Sequence, residues 1–193
     1  MAADGVARYA RGAQRRSALI EAAAGLLLEQ GLAALSHRAV AARAGLPLAS
    51  TTYYFNSADD LRDAALHHIA EGWARRAGAV VDALPARLDH GGAAEAVVAI
   101  IGADAPSQQM LLMYERYLEA GRHDRLRPVV VAWNGRLKDL VREVLQRADL
   151  PAGEDEAGLV LAVADGVAVT ALAEGAQPDT AVRAALHRVF PLL

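Results

Sequence analysis

The chain has 193 residues, of which 54% are hydrophobic and only 5% aromatic, with no cysteine and a formal net charge of −3. That length accommodates one ordinary domain or two small ones, and an Ala- and Leu-rich, aromatic-poor composition predicts an all-α core of helix on helix. The missing cysteines exclude a disulfide framework, a thiol nucleophile and a cysteine-ligated metal.

The charge is unevenly placed. Residues 1–57 carry six arginines (Arg8, Arg11, Arg15, Arg16, Arg38 and Arg43) against Asp4, Glu21 and Glu29, so the remainder holds a net −6. A basic head on an acidic body suits a polyanion contacted at one end. Residues 1–12 read as a basic arm, either solvated or touching phosphates. A first helix is predicted from Ala13 to Gln30, with Leu19, Ala23, Leu26, Leu27 and Gln30 on its buried stripe and Gly31 at its end.

The stretch from Ser36 to Leu61 organises the rest. Ser36 is placed to cap a helix on which Val40, Ala41 and Ala44 form one small apolar face. Gly45 supplies the positive φ that closes it, and Pro47 opens a second helix of about two turns, ending near Tyr54. Thr51 and Phe55 face its support. Leu48, Ala49, Ser50, Thr52 and Tyr53 form an outward face that is uncharged, small and hydroxyl-rich, while Tyr54 divides between contact and core. Two short helices at this spacing make a helix-turn-helix, whose second helix enters the DNA major groove.

Within that motif, Ser36 at a helix N-terminus suits a phosphate. An exposed Arg38 suits a base edge or a phosphate, and Thr52 and Tyr53 suit a thymine methyl and the sugar-phosphate backbone. Leu35-Ser36-x-Arg38, Ala44-Gly45-Leu46, Tyr53-Tyr54-Phe55 and Ser57-x-x-Asp60-Leu61 together resemble the TetR (tetracycline-repressor) family of bacterial transcriptional regulators. The resemblance is close over about the first 60 residues. Three positions depart from it: many relatives carry Lys where this chain has Ala58 and Leu48, and Tyr where it has Thr52. Fewer neutralised phosphates flatten the salt dependence of DNA binding.

Ser57 and Asp60 form a capping-box start for a helix of about 24 residues from Asp59 to Asp82, roughly 36 Å long. It divides a DNA-binding domain of residues 1–57 from a helical domain of residues 58–193. Helices follow over Ala93–Ile101, from Pro106 to Ala120 with Gly121 as its stop, Pro128–Ala148, Asp155–Gly175 and Pro178–Phe190, for about nine in all. No apolar run reaches the length that spans a bilayer, and no signal-peptide layout opens the chain, so a cytoplasmic protein without membrane contact is expected.

In the body, His68, Trp73, Met110, Met113, Tyr114, Tyr117 and Trp133 are the candidate lining of an apolar pocket with a few polar tips. The same residues serve equally as plain core. Arg116, Glu115 and Glu119 read as a solvated face. His67, His68 and Glu71 share one helical turn, which falls short of a metal site without a further ligand. On the last two helices, Leu159, Val163, Gly166, Val167 and Thr170, and then Val182, Leu186 and Val189, recur at helical spacing. These stripes suit a homodimer built as a four-helix bundle, or an intramolecular core.

No phosphate-binding glycine loop, HExxH or nucleophile elbow appears, so no enzyme, cofactor or metal is expected. The resemblance implies a homodimeric repressor that binds a near-palindromic double-stranded DNA operator and is released by an unknown small-molecule effector. The alternative is a helical ligand-binding or interaction protein with weak or no specific DNA binding.

Overall fold

A computed structural model describes residues 2–193, with side chains at residue 10 and from residue 12 onward. Nine α-helices and no strand occur among the described residues. The chain separates into two compact units, residues 1–71 and 72–193, with the division inside the fourth helix.

In the first unit, α1 spans Ala2–Gln30. Helix therefore replaces the basic arm expected before Ala13; the arm's Arg8 and Arg11 side chains lie outside the described residues. Helix propensity needs no burial, and alanines recur here through Ala2, Ala3, Ala7 and Ala10. Gly31 at φ 78° ends the helix.

The second helix, α2 (His37–Ala44), begins where the Ser36 side chain accepts the Ala39 N–H at 3.2 Å and ends at Gly45, whose φ is 64°. The third, α3, spans Leu48–Tyr54, with Pro47 as its N-cap instead of its first residue. Leu19, Ala23, Leu27, Val40, Ala41, Thr51 and Phe55 are buried, and α1, α2 and α3 pack pairwise. The fourth helix, α4 (Ala58–Asp82), opens with the Ser57 hydroxyl accepting the Asp60 N–H at 3.0 Å, as its capping pattern predicts.

In the second unit, α5 (His90–Ile101) is apolar apart from exposed His90 and Glu95 and packs against α7 (Arg127–Arg147), α8 (Glu154–Glu174) and α9 (Pro178–Val189). A helix of that kind belongs in the middle of a core. It starts three residues before the predicted Ala93, because Asp89 caps it by accepting the Gly92 N–H at 2.7 Å. The sixth helix, α6 (Ser107–Arg122), runs through Gly121, which is helical and not the predicted stop. The Arg147 guanidinium donates to the carbonyls of Val81 at 3.0 Å and Leu84 at 2.8 Å, tying the end of α4 to α7. A cation there also meets the negative end of the α4 dipole.

Two expectations about the last helices need correction. Val182 and Leu186 are both 0% exposed in the core of the single chain, so they offer no surface to a partner. Also, α8 is 21 residues long and contains an 18-residue window with a mean hydropathy of 1.7, so length and composition alone do not exclude a membrane span. One face of α8 (Val160, Ala164, Ala168 and Ala171) is buried, and the helix packs on α7 and α9. Its other face leaves Leu159 and Val169 about half exposed.

Candidate nucleic-acid interface and ligand cleft

The recognition surface is built on short-range hydrogen bonding and one buried threonine. Thr51 is fully buried, with its hydroxyl donating to the Leu48 carbonyl at 2.8 Å, and it anchors α3 together with Phe55. Anchoring on Thr51 turns Leu48, Ala49, Thr52 and Tyr53 outward; all four are exposed, Tyr53 by 81%. Ser50 is half-buried, and Thr52 donates to the Ala49 carbonyl at 3.3 Å.

The Tyr53 and Tyr54 rings meet edge to face with centroids 4.9 Å apart. Tyr54, open between contact and core in the sequence, is half-buried, and its hydroxyl lies beside Gly12 of α1. Ser36 and Arg38 are exposed in the first turn of α2. The α3 face contains no acidic side chain, so nothing on it repels a phosphate.

Arg43 is engaged structurally. Its guanidinium reaches back to α1 and pairs with the Glu29 carboxylate through two bonds of 2.7 and 2.5 Å. The hydrogen bond from Arg43 holds the Glu29 carboxyl below its usual range. Gly25 leaves room for this crossing: a Cβ there would lie 2.8 Å from the Arg43 Nη2. Arg16 packs over the Phe55 ring at 5.4 Å, so part of the head's basic charge also braces its core.

The body holds a small cleft with an open mouth. Of the predicted lining residues, Trp73, Met110, Met113 and Trp133 do line it, joined by Arg76, Ile100, Ile101 and Gln109. His68, Tyr114 and Tyr117 do not. His68 is half-buried on the first-unit part of α4. Tyr114 donates to Asp165 at 3.3 Å and Tyr117 to Asn134 at 2.7 Å, so both hydroxyls are spent inside the fold. His67 pairs with Glu71 at 3.2 Å on an exposed face, and no group of three metal-ligating side chains occurs among the described residues.

Arg116 overturns the solvated-face expectation: it is 3% exposed. The register already held the signal, since Met110, Met113, Arg116 and Ala120 repeat at helical spacing along one buried stripe of α6. Its guanidinium carbon lies 5.1 Å from the Trp133 ring centre and 5.6 Å from those of Trp73 and Tyr117. Burial pushes its pKa down, against the pull of the Tyr117 phenol and the Asp165 charge. Desolvation raises the Asp165 carboxyl to about 6, although the Tyr114 hydrogen bond and the Arg116 charge oppose that shift. Tyr117 is pushed up to about 12, chiefly by burial.

Of the candidate dimer residues, Leu159, Gly166 and Thr170 are exposed, while Val163, Val167 and Val189 are half-buried. Thr170 donates to the Gly166 carbonyl at 2.9 Å, which keeps its polar group satisfied within the helix. Ala162 is exposed as well, and both it and Gly166 are small.

A helix-turn-helix head followed by an all-α body with a Trp-walled cleft defines a DNA-binding regulator. Residues 19–65 match the model for bacterial regulatory proteins of the tetR family, and residues 87–192 match that for the tetracyclin repressor-like C-terminal domain. The chain belongs to the TetR family and is a DNA-binding transcriptional regulator, in a family whose members are not enzymes.

Among solved structures, the multidrug binding protein EbrR complexed with proflavin is 36% identical, with coverage of 90% of this chain and 98% of that one and a TM-score of 0.66. A TetR-family member from Streptomyces coelicolor A3 (SCO1917) is 35% identical, covering 92% and 98%, with a TM-score of 0.67. A TetR transcription regulator from Haloarcula marismortui shares the fold at 16% identity, covering 94% and 98%, with a TM-score of 0.74. No curated protein matches the chain.

Proposed function

We propose that this chain is a cytoplasmic, homodimeric repressor whose α3 helices read a near-palindromic operator and whose Trp-walled cleft takes the molecule that releases it. The observation that carries the reading is the α3 face: Leu48, Ala49, Thr52 and Tyr53 project outward from a helix locked by buried Thr51. An 81%-exposed tyrosine contributes little to the fold, and its ring and hydroxyl suit a sugar and a phosphate. Ser36 and Arg38, at the positive end of α2, supply the backbone contact and a guanine-reading fork.

The exposed α8 track of Leu159, Ala162, Gly166, Val169 and Thr170 is the proposed dimer face, because small residues permit close helix approach. Half-buried Val163, Val167 and Val189 flank it. Two heads related by a two-fold axis then meet half-sites about 34–36 Å apart. The EbrR structures hold proflavin, ethidium and malachite green; here the Trp73 and Trp133 rings, 6.3 Å apart, suit a flat aromatic guest. Such a guest releases DNA only by binding the non-DNA-binding state more tightly.

The test is fluorescence anisotropy with DNA from upstream of the chain's own gene, across a salt series, against a shuffled fragment and with Arg38→Ala alongside. Preferential, mutation-sensitive binding supports the reading. Equal weak binding to every genomic fragment favours the alternative interaction protein, which Leu48 and Ala58 in place of cations make worth testing.

A further inference from the structure

The two tryptophan rings and the Arg116 guanidinium form a triangle with sides of 6.3, 5.6 and 5.1 Å. Both tryptophans line the cleft, as does Met113 one helical turn from Arg116, so the guanidinium lies directly behind the cleft wall. The Tyr117 phenol oxygen lies within reach of both the guanidinium and the buried indole N–H of Trp133, but none of the three guanidinium nitrogens, nor the indole N–H, meets it or any other acceptor with good hydrogen-bond geometry. Every unsatisfied polar atom here is thus a donor.

Aromatic rings contact a guanidinium through its faces and leave its in-plane N–H edge for an acceptor. A buried cation without an acceptor is costly, and a carboxylate matches its fork with two charge-assisted bonds. The side chains lining the cleft include Arg76, which is paired with Asp104 at 3.2 Å, and no carboxylate.

We propose that the cleft selects an organic anion with a flat apolar body: its carboxylate sits on Arg116 and the Trp133 N–H, and its body lies along Trp73, Met110 and Met113. This deepens the effector reading and rests on it for the consequence at DNA, though not for the binding itself. The selected charge is opposite to that of ethidium and proflavin, which are cations. Asp165, whose charge acts on Arg116, is held by the Tyr114 hydroxyl and makes no hydrogen bond to the guanidinium.

The experiment uses the full-length protein and three probes of one shape: 1-naphthoate, 1-naphthamide and 1-naphthylmethylammonium. Binding is measured by calorimetry. Quenching of tryptophan fluorescence gives a second readout, because the chain's two tryptophans both line the cleft. Naphthoate is expected to bind at least tenfold tighter than either analogue. Arg116→Met is expected to erase that preference, and Arg116→Lys to keep its sign. Thermal melts followed by circular dichroism establish that both variants are folded at the assay temperature, so that a lost preference reads the charge and not unfolding.

Equal affinities, preference for the ammonium, no binding by any probe, or a preference that survives Arg116→Met each overturn the proposal. Naphthoate that binds as expected but leaves the protein on DNA overturns the effector reading while sparing the charge assignment. An ammonium that binds preferentially and releases DNA does the reverse.

Discussion

Replacing Asp165 by Asn should remove a pH-dependent penalty from the body. Asp165 sits half-buried on α8, and desolvation raises its carboxyl from 3.8 to about 6 despite a hydrogen bond from Tyr114. The folded state therefore holds the proton more tightly than the unfolded chain. Stability from this group is fully present below about pH 4 and is lost as pH rises through about 6.

At about 1.4 kcal/mol per pH unit the full shift corresponds to about 3 kcal/mol, and solvent screening of a half-buried group brings it nearer 2. For a domain of this size that is a melting shift of about 4–8 °C. The assay is a thermal melt of both proteins from pH 4 to 8 at one protein concentration, because any self-association makes Tm concentration-dependent. Asp165→Asn should match the parent near pH 4 and exceed it above pH 7. A constant difference across pH, or an Asn variant less stable at pH 7.5, refutes the reasoning and makes Asp165 a net-favourable counterion of Arg116.

Other substitutions separate reading from folding. Ser36→Ala removes the α2 cap and should cost about 1 kcal/mol of stability in denaturant melts, together with operator affinity in anisotropy titrations. Tyr53→Ala should leave stability within about 0.5 kcal/mol, as exposed positions do, while weakening DNA binding measurably by anisotropy. Leu186→Ala should cost about 2–5 kcal/mol in denaturant melts, because its side chain is wholly inside the core. Leu159→Glu should instead split the dimer in sedimentation experiments and leave the monomer's helical signal intact.

The head was legible because its signals are local. Ser36, Gly45, Ser57 and Asp60 each serve a neighbouring turn, so type and spacing alone place α2, α3 and the start of α4. Thr51 and Phe55 were readable as anchors for the same reason.

The body resisted where residue type and register disagreed. Arg116 falls on the buried stripe of α6, but a charged side chain reads as solvent-facing until three aromatic rings are seen around it. Tyr114 and Tyr117 share that helix, yet their hydroxyls are committed to Asp165 and Asn134, partners 51 and 17 residues away that no local pattern reveals. The α9 stripe looked the same whether it faced a partner or the core, and only the packing of α5 and α8 against α9 puts Val182 and Leu186 inside. The early start of α1 was hidden by its polar composition, which bears on burial and not on helicity.

The central claim is that α3 reads DNA sequence as one half of a symmetric pair. Selection of bound fragments from sheared genomic DNA, with the parent protein and with Arg38→Ala and Tyr53→Ala, tests it most directly. The account expects one enriched inverted repeat, its half-sites centred about 10 base pairs or a further whole turn apart, lost or degraded in both variants. Recovery of fragments without a shared motif, or of the same motif undiminished in both variants, would contradict it.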